Sequence, residues 1–451
     1  MTADEEQRIC HNCVGDSFLK DLIKHLEFVT ECDYCEATDQ CITLADLSEH
    51  VKRGFREHYE ATSSEPDGMQ WAMLRDKEIN YNWEREGEFV VDIIQDEAGV
   101  DDVVAIALQE ILDDDNYDYD DPNESEFGPD IQYTRVQTNN SRWDGHWSRL
   151  QKELKTETRF FNQNASSLFR TVFANLSSMS TKAGQPVLRV SGPGTEMPNL
   201  YRARVFQSED SLQEALESPA RLLGSPSSKS ATAGRMNAQG ISVFYGSTSA
   251  AVSLAEVRPP VGSQVAIAKF TVQKRLTLLD LTALRFVQPD GSIFDPDYLK
   301  LIEQAVFLEN FCTMITQPVM PDFQSSEYLI TQATADYLAT DTNLSLDGIV
   351  YPSIQTGDSG LNVVLFHKSS RATHPSNDQT FEVSLYSHDA DGEYFDCQMS
   401  RCPPISSSPG HVHDLEDDFR EQVLVLDEKS ITIYKVNAVF FETEKHAVNT
   451  S

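Results

Sequence analysis

No run of eighteen or more apolar residues occurs in the 451-residue chain, so no membrane-spanning helix is expected. The N-terminus, MTADEEQRICHNC, has neither a basic n-region nor an apolar h-region. A secretory leader is therefore not expected, and a cytoplasmic location is. Basic charge is scarce: 36 Lys and Arg face 72 Asp and Glu, for a net charge of −36. A surface of that sign repels phosphate backbones and argues against nonspecific nucleic-acid binding. Its plainest meaning is solubility or tolerance of salt; attraction of a basic partner is the sharper reading. A phosphate-binding loop, a nucleophile elbow and the dinucleotide-binding glycine fingerprint are all missing. Cysteine is sparse as well, with eight in all.

The remainder is ordinary for folded protein, at 40% hydrophobic and 24% charged, and too long for one core. Residues 1–60 read as a cysteine-paired helical unit. Phe18, Leu19, Leu22, Ile23 and Leu26 fall on one helix side, and Leu47, Val51, Phe55 and Tyr59 recur every four residues. Residues 61–185 read as mainly helical, with an acidic linker at 113–130 that lacks the calcium-loop pattern. From 186 to 370 short strands and helices alternate, which predicts a mixed α+β domain. Expected strands are 187–190, 241–245, 265–272, 276–281, 348–351 and 361–366; expected helices are 248–257, 298–311 and 325–339. Residues 371–410 read as irregular. Strands at 422–427 and 431–442 return to the sheet from the C-terminal extension, 371–451.

Four of the cysteines form two pairs, Cys10-x2-Cys13 and Cys32-x2-Cys35, with eighteen residues between them. Two such turns present four thiolates, the donor set of a closed structural zinc site. Disulfides are the competing assignment, and a reducing cytosol opposes them. His11 could replace one thiol. Cys41 and Cys312 read as ordinary thiols, and Cys397 and Cys402 receive no role. Arg53 and His58, in RGFREH, match an arginine–histidine spacing used by some helical ribonucleases, but the apolar face of their helix already explains the segment.

The segment GRMNAQGISVFYGSTSAAVSLAEVRP, residues 234–259, carries the chemistry. Gly234 permits a tight turn, and Arg235 supplies a planar fork for phosphate oxygens. Arg202 or Arg204, in LYRARVF, offers a second fork for a pyrophosphate. Tyr245 ends a strand, where its ring can stack on a flat heterocycle; its bland role is a half-buried strand tyrosine. Ser247, Thr248 or Ser249 caps the next helix, and Glu256 follows two turns later. Alone, Glu256 would face solvent. Beside an arginine and an aromatic ring, it can stabilise the positive charge that develops on a ribose as an N-glycosidic bond breaks.

These residues resemble the RES-domain family, named for arginine, glutamate and serine. The resemblance spans roughly 200–370 and includes LYRARVF, the 234–259 segment, TLLDLT, EYLITQATADYL and DGIVYPSIQTGDSGLNVVLF. It implies an ADP-ribosyltransferase-like mixed sheet, NAD as substrate and growth arrest by NAD degradation within a toxin–antitoxin pair. It further implies Arg235, Tyr245, Glu256 and Ser353 as the active-site set, with Arg202 and Asn362 as auxiliaries. A helix-turn-helix antitoxin is the implied partner, and a homo-oligomer is compatible with the sequence. Met236 stands where many members carry tryptophan. The extra front end, about 185 residues long, resembles the N-terminal domain that precedes RES and HEPN modules. Hydrolysis, phosphorolysis and ADP-ribosyl transfer to a macromolecule all remain open, as does a non-enzymatic, zinc-organised interaction protein.

Overall fold

The computed structural model describes residues 7–76, 78, 80–115, 125–138, 141–357, 360–375, 379–389, 392–402, 418–440 and 443–446. Half of the expected acidic linker, residues 116–124, lies outside them. Two compact units separate: residues 1–141 with 288–306, and residues 142–287 with 307–451.

The first unit is built on two small sheets and a helical core. Strands Arg8–Cys10, Thr38–Thr43 and Val29–Glu31 pair antiparallel, with Thr38–Thr43 in the middle. This sheet carries the cysteine pairs, so the front unit is less purely helical than its apolar periodicity predicts. Helix Ser17–Lys24 is capped by Asp16, which accepts from Leu19 N, and buries Leu19 and Ile23. Helix Leu44–His58 buries Leu47, Val51 and Phe55, as the four-residue spacing predicts. Tyr59 ends that helix and opens a strand instead of completing the stripe. Helices Val90–Ala98 and Asp102–Asp115 close the core with Ile93, Ile94, Val104 and Leu108. Segment 288–306 adds Ile293 and Phe294 to that core. A Cβ at Gly54 would meet the Phe294 ring at 3.1 Å, so glycine is what lets that ring sit against the helix.

The second unit contains nine strands in one sheet: β1 (Leu188–Ser191), β2 (Asn199–Phe206), β3 (Phe244–Ser247), β4 (Gln264–Val272), β5 (Leu276–Asp280), β6 (Gly348–Pro352), β7 (Leu361–Leu365), β8 (Ala372–Thr373) and β9 (Leu424–Lys435). Their spatial order is β8-β9-β4-β2-β3-β7-β6-β5-β1, with β5–β6 and β8–β9 parallel and the other pairs antiparallel. Both faces are covered, which explains continuous apolar runs such as LNVVLF. Leu279, Ile349 and Val364 face a core shared with helices α2 (Tyr298–Thr316) and α3 (Gln324–Thr340), filled by Phe307, Phe311 and Leu338. Leu278, Val350 and Leu365 face the other way, toward Phe270 and Phe244. A short helix, α1 (Ala250–Glu256), packs on Ala203, Val205 and Val265. The result is a mixed α+β architecture with a large mixed sheet, as the sequence predicts.

Three segments differ from expectation. The strand expected at 241–245 begins at Phe244, because the carbonyls of Ile241 and Ser242 accept from the side chains of Asn237, His367 and Ser370 and are unavailable to a ladder. The segment expected to be irregular contains a hairpin, Phe381–Asp389 with Gly392–Arg401. Phe381, Val383 and Leu385 alternate inward there, and this period-2 signal is diluted by the polar residues between them. The two expected C-terminal strands are one, β9, whose polar break is absorbed by a register shift opposite Ile267 and Lys269. Ser430 Oγ accepts from Lys269 N at 2.9 Å in that irregularity. Among the described residues, no helix is long and apolar enough to cross a membrane.

Candidate functional site

The turn that opens the 234–259 segment is fastened beneath Tyr245. Gly234 N donates to Asn237 O at 3.0 Å, and the Asn237 amide donates to the carbonyls of Thr232, Ala238 and Ile241. Tyr245 Oη accepts from Met236 N at 2.9 Å and donates to Asn237 Oδ1 at 3.0 Å. A Cβ at Gly234 would lie 2.6 Å from Asn237 Oδ1 and 2.8 Å from Tyr245 Oη, so only glycine lets the hydroxyl reach the turn. Burial pushes the Tyr245 phenol up to about 12, with the Met236 N–H and the Arg202 and Arg235 charges opposing. Met236 is buried in the main core.

Arg235 is held in place by backbone. Nη1 donates to Ile315 O at 2.6 Å and Nη2 to Gln317 O at 2.8 Å, the carbonyls left over at the end of α2. Its guanidinium lies 5.2 Å from the centre of the Tyr328 ring. From α3, Thr331 Oγ1 donates to Arg235 O and Gln332 Nε2 to Gly234 O.

Glu256 and Ser353 meet directly. Ser249 caps α1 by accepting from Val252 N at 3.3 Å, and Glu256 is the last residue of that helix. A carboxylate at a helix C-terminus opposes the helix dipole. The Ser353 hydroxyl offsets this by donating to Glu256 Oε1 at 2.6 Å, the length of a charge-assisted bond. Ser353 is fully buried, and its own N–H donates to Gly360 O at 2.8 Å. Gly360 is needed there: a Cβ would lie 2.2 Å from Val252 Cγ2 on α1.

Tyr351 belongs to the same group, and the sequence reading passes over it. It sits two residues before Ser353 on β6, in register with Asn362 on β7. Its hydroxyl makes no hydrogen bond to any described residue. Burial raises its phenol strongly, Tyr245, Glu256 and Tyr328 add to the effect, and Arg235 opposes it. Tyr351 thus lies within electrostatic reach of three expected site residues. Two-residue spacing from Ser353 in a strand was the available signal. Asn362 is 3% exposed, and its side-chain amide makes no hydrogen bond to any described residue.

Arg202 and Arg204 do not join this group. Tyr201 pairs with Ser247, so Tyr201 shares the sheet face of Tyr245, and Arg202 takes the opposite face. Arg202 lies 5.3 Å from the Phe244 ring centre and reaches only the main-chain oxygen of Tyr245, at 3.3 Å. Burial, helped by the Arg204 charge, lowers its guanidinium to about 10, which leaves it charged at neutral pH. Arg204 donates to Leu222 O on that same far face. The structure therefore brings together Arg235, Tyr245, Glu256 and Ser353, with Tyr351 and Asn362, and leaves Arg202 and Arg204 behind the sheet.

Two cavities flank this region. One, of about 390 Å3, is lined by Arg235, Tyr328, Phe323, Glu327, Gln151 and Trp147 among others. The other, of about 610 Å3, is lined by Tyr201, Thr248, Leu361, Asn199, Arg189 and Arg275 among others. Neither is lined by Tyr245, Glu256, Ser353 or Asn362.

In the first unit, Cys10, Cys13, Cys32 and Cys35 place their sulfurs within 4.8 Å of one another. Individual Sγ–Sγ separations are 3.8 Å for Cys10–Cys13, 3.5 Å for Cys10–Cys35 and 3.9 Å for Cys13–Cys32. A tetrahedral ion with metal–sulfur bonds of about 2.3 Å requires about 3.8 Å. The four thiols fit a metal ion such as zinc. Cys10 N donates toward Cys32 Sγ at 3.3 Å, the backbone support such ligands usually receive. His11 points elsewhere, 3.6 Å from Asp39. Arg53 donates to Phe294 O and pairs with His50 Nδ1, and His58 is 3% exposed. That placement offers RNA no accessible arginine–histidine pair.

Residues 200–385 match the model of the RES domain. No curated protein and no solved structure matches the chain.

Proposed function

We propose that the RES domain carried at residues 200–385 is an NAD-degrading enzyme that breaks the nicotinamide–ribose bond. The family match supports an NAD-related, toxin–antitoxin context in general. The observation that carries the specific reading is the Ser353–Glu256 contact, with the Glu256 charge bearing on Tyr351, the ring on which Tyr245 and Arg235 also bear.

In this reading Arg235 binds the pyrophosphate, and the Tyr245 and Tyr351 rings border the nicotinamide ribose. Ser353 holds the Glu256 carboxylate in one orientation. As the C1′–N bond lengthens, its electron pair moves onto the pyridinium nitrogen and nicotinamide leaves neutral. Positive charge grows on the ribose, where Glu256 stabilises it. Water, or inorganic phosphate, then forms the new bond to C1′; with water, the surplus proton passes to solvent. Asn362, buried beside Tyr351, offers its amide to the ribose or carboxamide. Arg202 and Arg204 act from behind the sheet, Arg202 supporting β3 and Arg204 the backbone at Leu222, rather than touching phosphate.

The cysteine cluster is read as a structural zinc site, because four thiolates leave no open coordination position. Bound zinc would tie the two turns together. A cytoplasmic growth-arresting role, restrained by a helix-turn-helix antitoxin, completes the reading. Incubating the purified chain with NAD, with and without phosphate, and resolving nicotinamide, ADP-ribose and ADP-ribose 1-phosphate tests it. Nicotinamide without any macromolecular label supports cleavage. Label from NAD appearing on protein or nucleic acid would favour ADP-ribosyl transfer instead.

A further inference from the structure

The cavity beside Arg235 is walled by groups suited to a purine nucleoside. Its volume of about 390 Å3 falls in the range of small-molecule sites, roughly 300–1,000 Å3. Tyr328 and Phe323 offer ring faces, Gln151 an amide and Glu327 a carboxylate. Lys155 Nζ donates to Glu327 Oε1 at 2.6 Å, which orients the carboxylate and leaves Oε2 without a partner among the described residues.

Two of the lining residues also reach the cluster around Glu256. Arg235 and Tyr328 both bear electrostatically on Tyr245 and Tyr351. The cavity and the cluster therefore share a wall, and Arg235 stands in it. A guanidinium has five N–H donors; Ile315 and Gln317 occupy two of those on Arg235, leaving three for a phosphate.

Resting on the reading of Glu256 and Ser353 as the cleavage end, we propose that this cavity holds the adenosine half of NAD. The pyrophosphate then lies at Arg235, between the two halves. The nicotinamide half is excluded from the cavity because its ribose carbon must face Glu256, which does not line it. Adenine stacks on Tyr328 and Phe323, and its exocyclic amine donates to Glu327 Oε2. Base–aromatic stacking of this kind contributes about 1–3 kcal/mol per base, equivalent to roughly five- to 150-fold in affinity.

The test compares NAD with nicotinamide mononucleotide, which has the same scissile bond and no adenosine. In the full-length chain, Phe323→Ala and Glu327→Gln should each lower the kcat/KM ratio of NAD to the mononucleotide about tenfold. A ratio unchanged in both variants overturns the assignment. So does a tenfold fall confined to Arg275→Ala, which would put the nucleoside in the other cavity. Should wild-type chain release nicotinamide from neither substrate, the reading of Glu256 fails and the cavity is still tested by calorimetric titration with AMP. Wild-type binding weakened about tenfold in both variants upholds it; no binding, or equal affinity in all three, overturns it.

Discussion

Ser353 Oγ donates to Glu256 Oε1 across 97 residues of sequence, at 2.6 Å. The serine comes from the end of β6 and the glutamate from the end of α1, so the sheet and helix must both form before the pair exists. Ser353→Ala should free the Glu256 carboxylate to rotate. A hydrogen bond to a charged group contributes about 1.5–3 kcal/mol, so kcat should fall roughly tenfold to a hundredfold, with the KM for NAD little changed. Steady-state kinetics of nicotinamide release check this; an unchanged kcat would remove Ser353 from the site.

Tyr351→Phe keeps the ring and deletes a hydroxyl that has no partner among the described residues. Stability should therefore stay within about 0.5 kcal/mol of wild type. Activity should drop about three- to tenfold, the value of one neutral hydrogen bond to bound substrate. Urea melts and nicotinamide release, measured on the same preparation, separate these effects. Reduced stability with full activity would make Tyr351 a packing residue.

Tyr245→Phe predicts the opposite balance. It strips a donor from Asn237 and an acceptor from Met236 N, which unfastens the turn carrying Arg235. A loss of about 1–3 kcal/mol is expected from leaving those buried groups unsatisfied. Denaturant midpoints at constant slope would report it.

Alkaline pH should probe the same tyrosine. Burial pushes Tyr133 and Tyr245 up to about 12 from the usual 10. A pKa raised in the fold gives stability that is whole below pH 10 and disappears as pH climbs through 12. Unfolding free energy should fall across that window, and more shallowly in Tyr245→Phe. Equal slopes in both proteins would contradict the burial argument.

Metal removal should act on the first unit. A strong chelator, or Cys32→Ser, should lower that unit's stability and release about one zinc per chain by a colorimetric dye, as four-thiolate sites do. Preparations without zinc, and a chain indifferent to chelator, would mean that the four thiols merely lie close together.

Much of this was legible in the sequence because it is local. The spacing of the cysteine pairs forecast their cluster, and apolar periodicity forecast the helix carrying Leu47, Val51 and Phe55 and the strands around Val363. The Arg235, Tyr245 and Glu256 set sits within 22 residues, in a turn, a strand and a helix that each have local signals. Other features depend on contacts distant in sequence. Which sheet face Arg202 takes is decided by the pairing of Tyr201 with Ser247, and no local pattern records that register. Tyr351 gains meaning only when β6 is laid beside β7 and α1. The hairpin beginning at Phe381 has alternation too short to stand out from its polar surroundings. Ile293 and Phe294 read as part of the later α+β region, yet they complete a core formed by residues before 142.

The most direct measurement is nicotinamide release from NAD by the wild-type chain and by Glu256→Gln, an isosteric change that removes only the charge. Release by wild type, reduced at least about a hundredfold in Glu256→Gln with the fold intact by circular dichroism, is the predicted result. Equal release by both proteins would contradict the account, because the carboxylate placed against Ser353 would then have no part in breaking the bond.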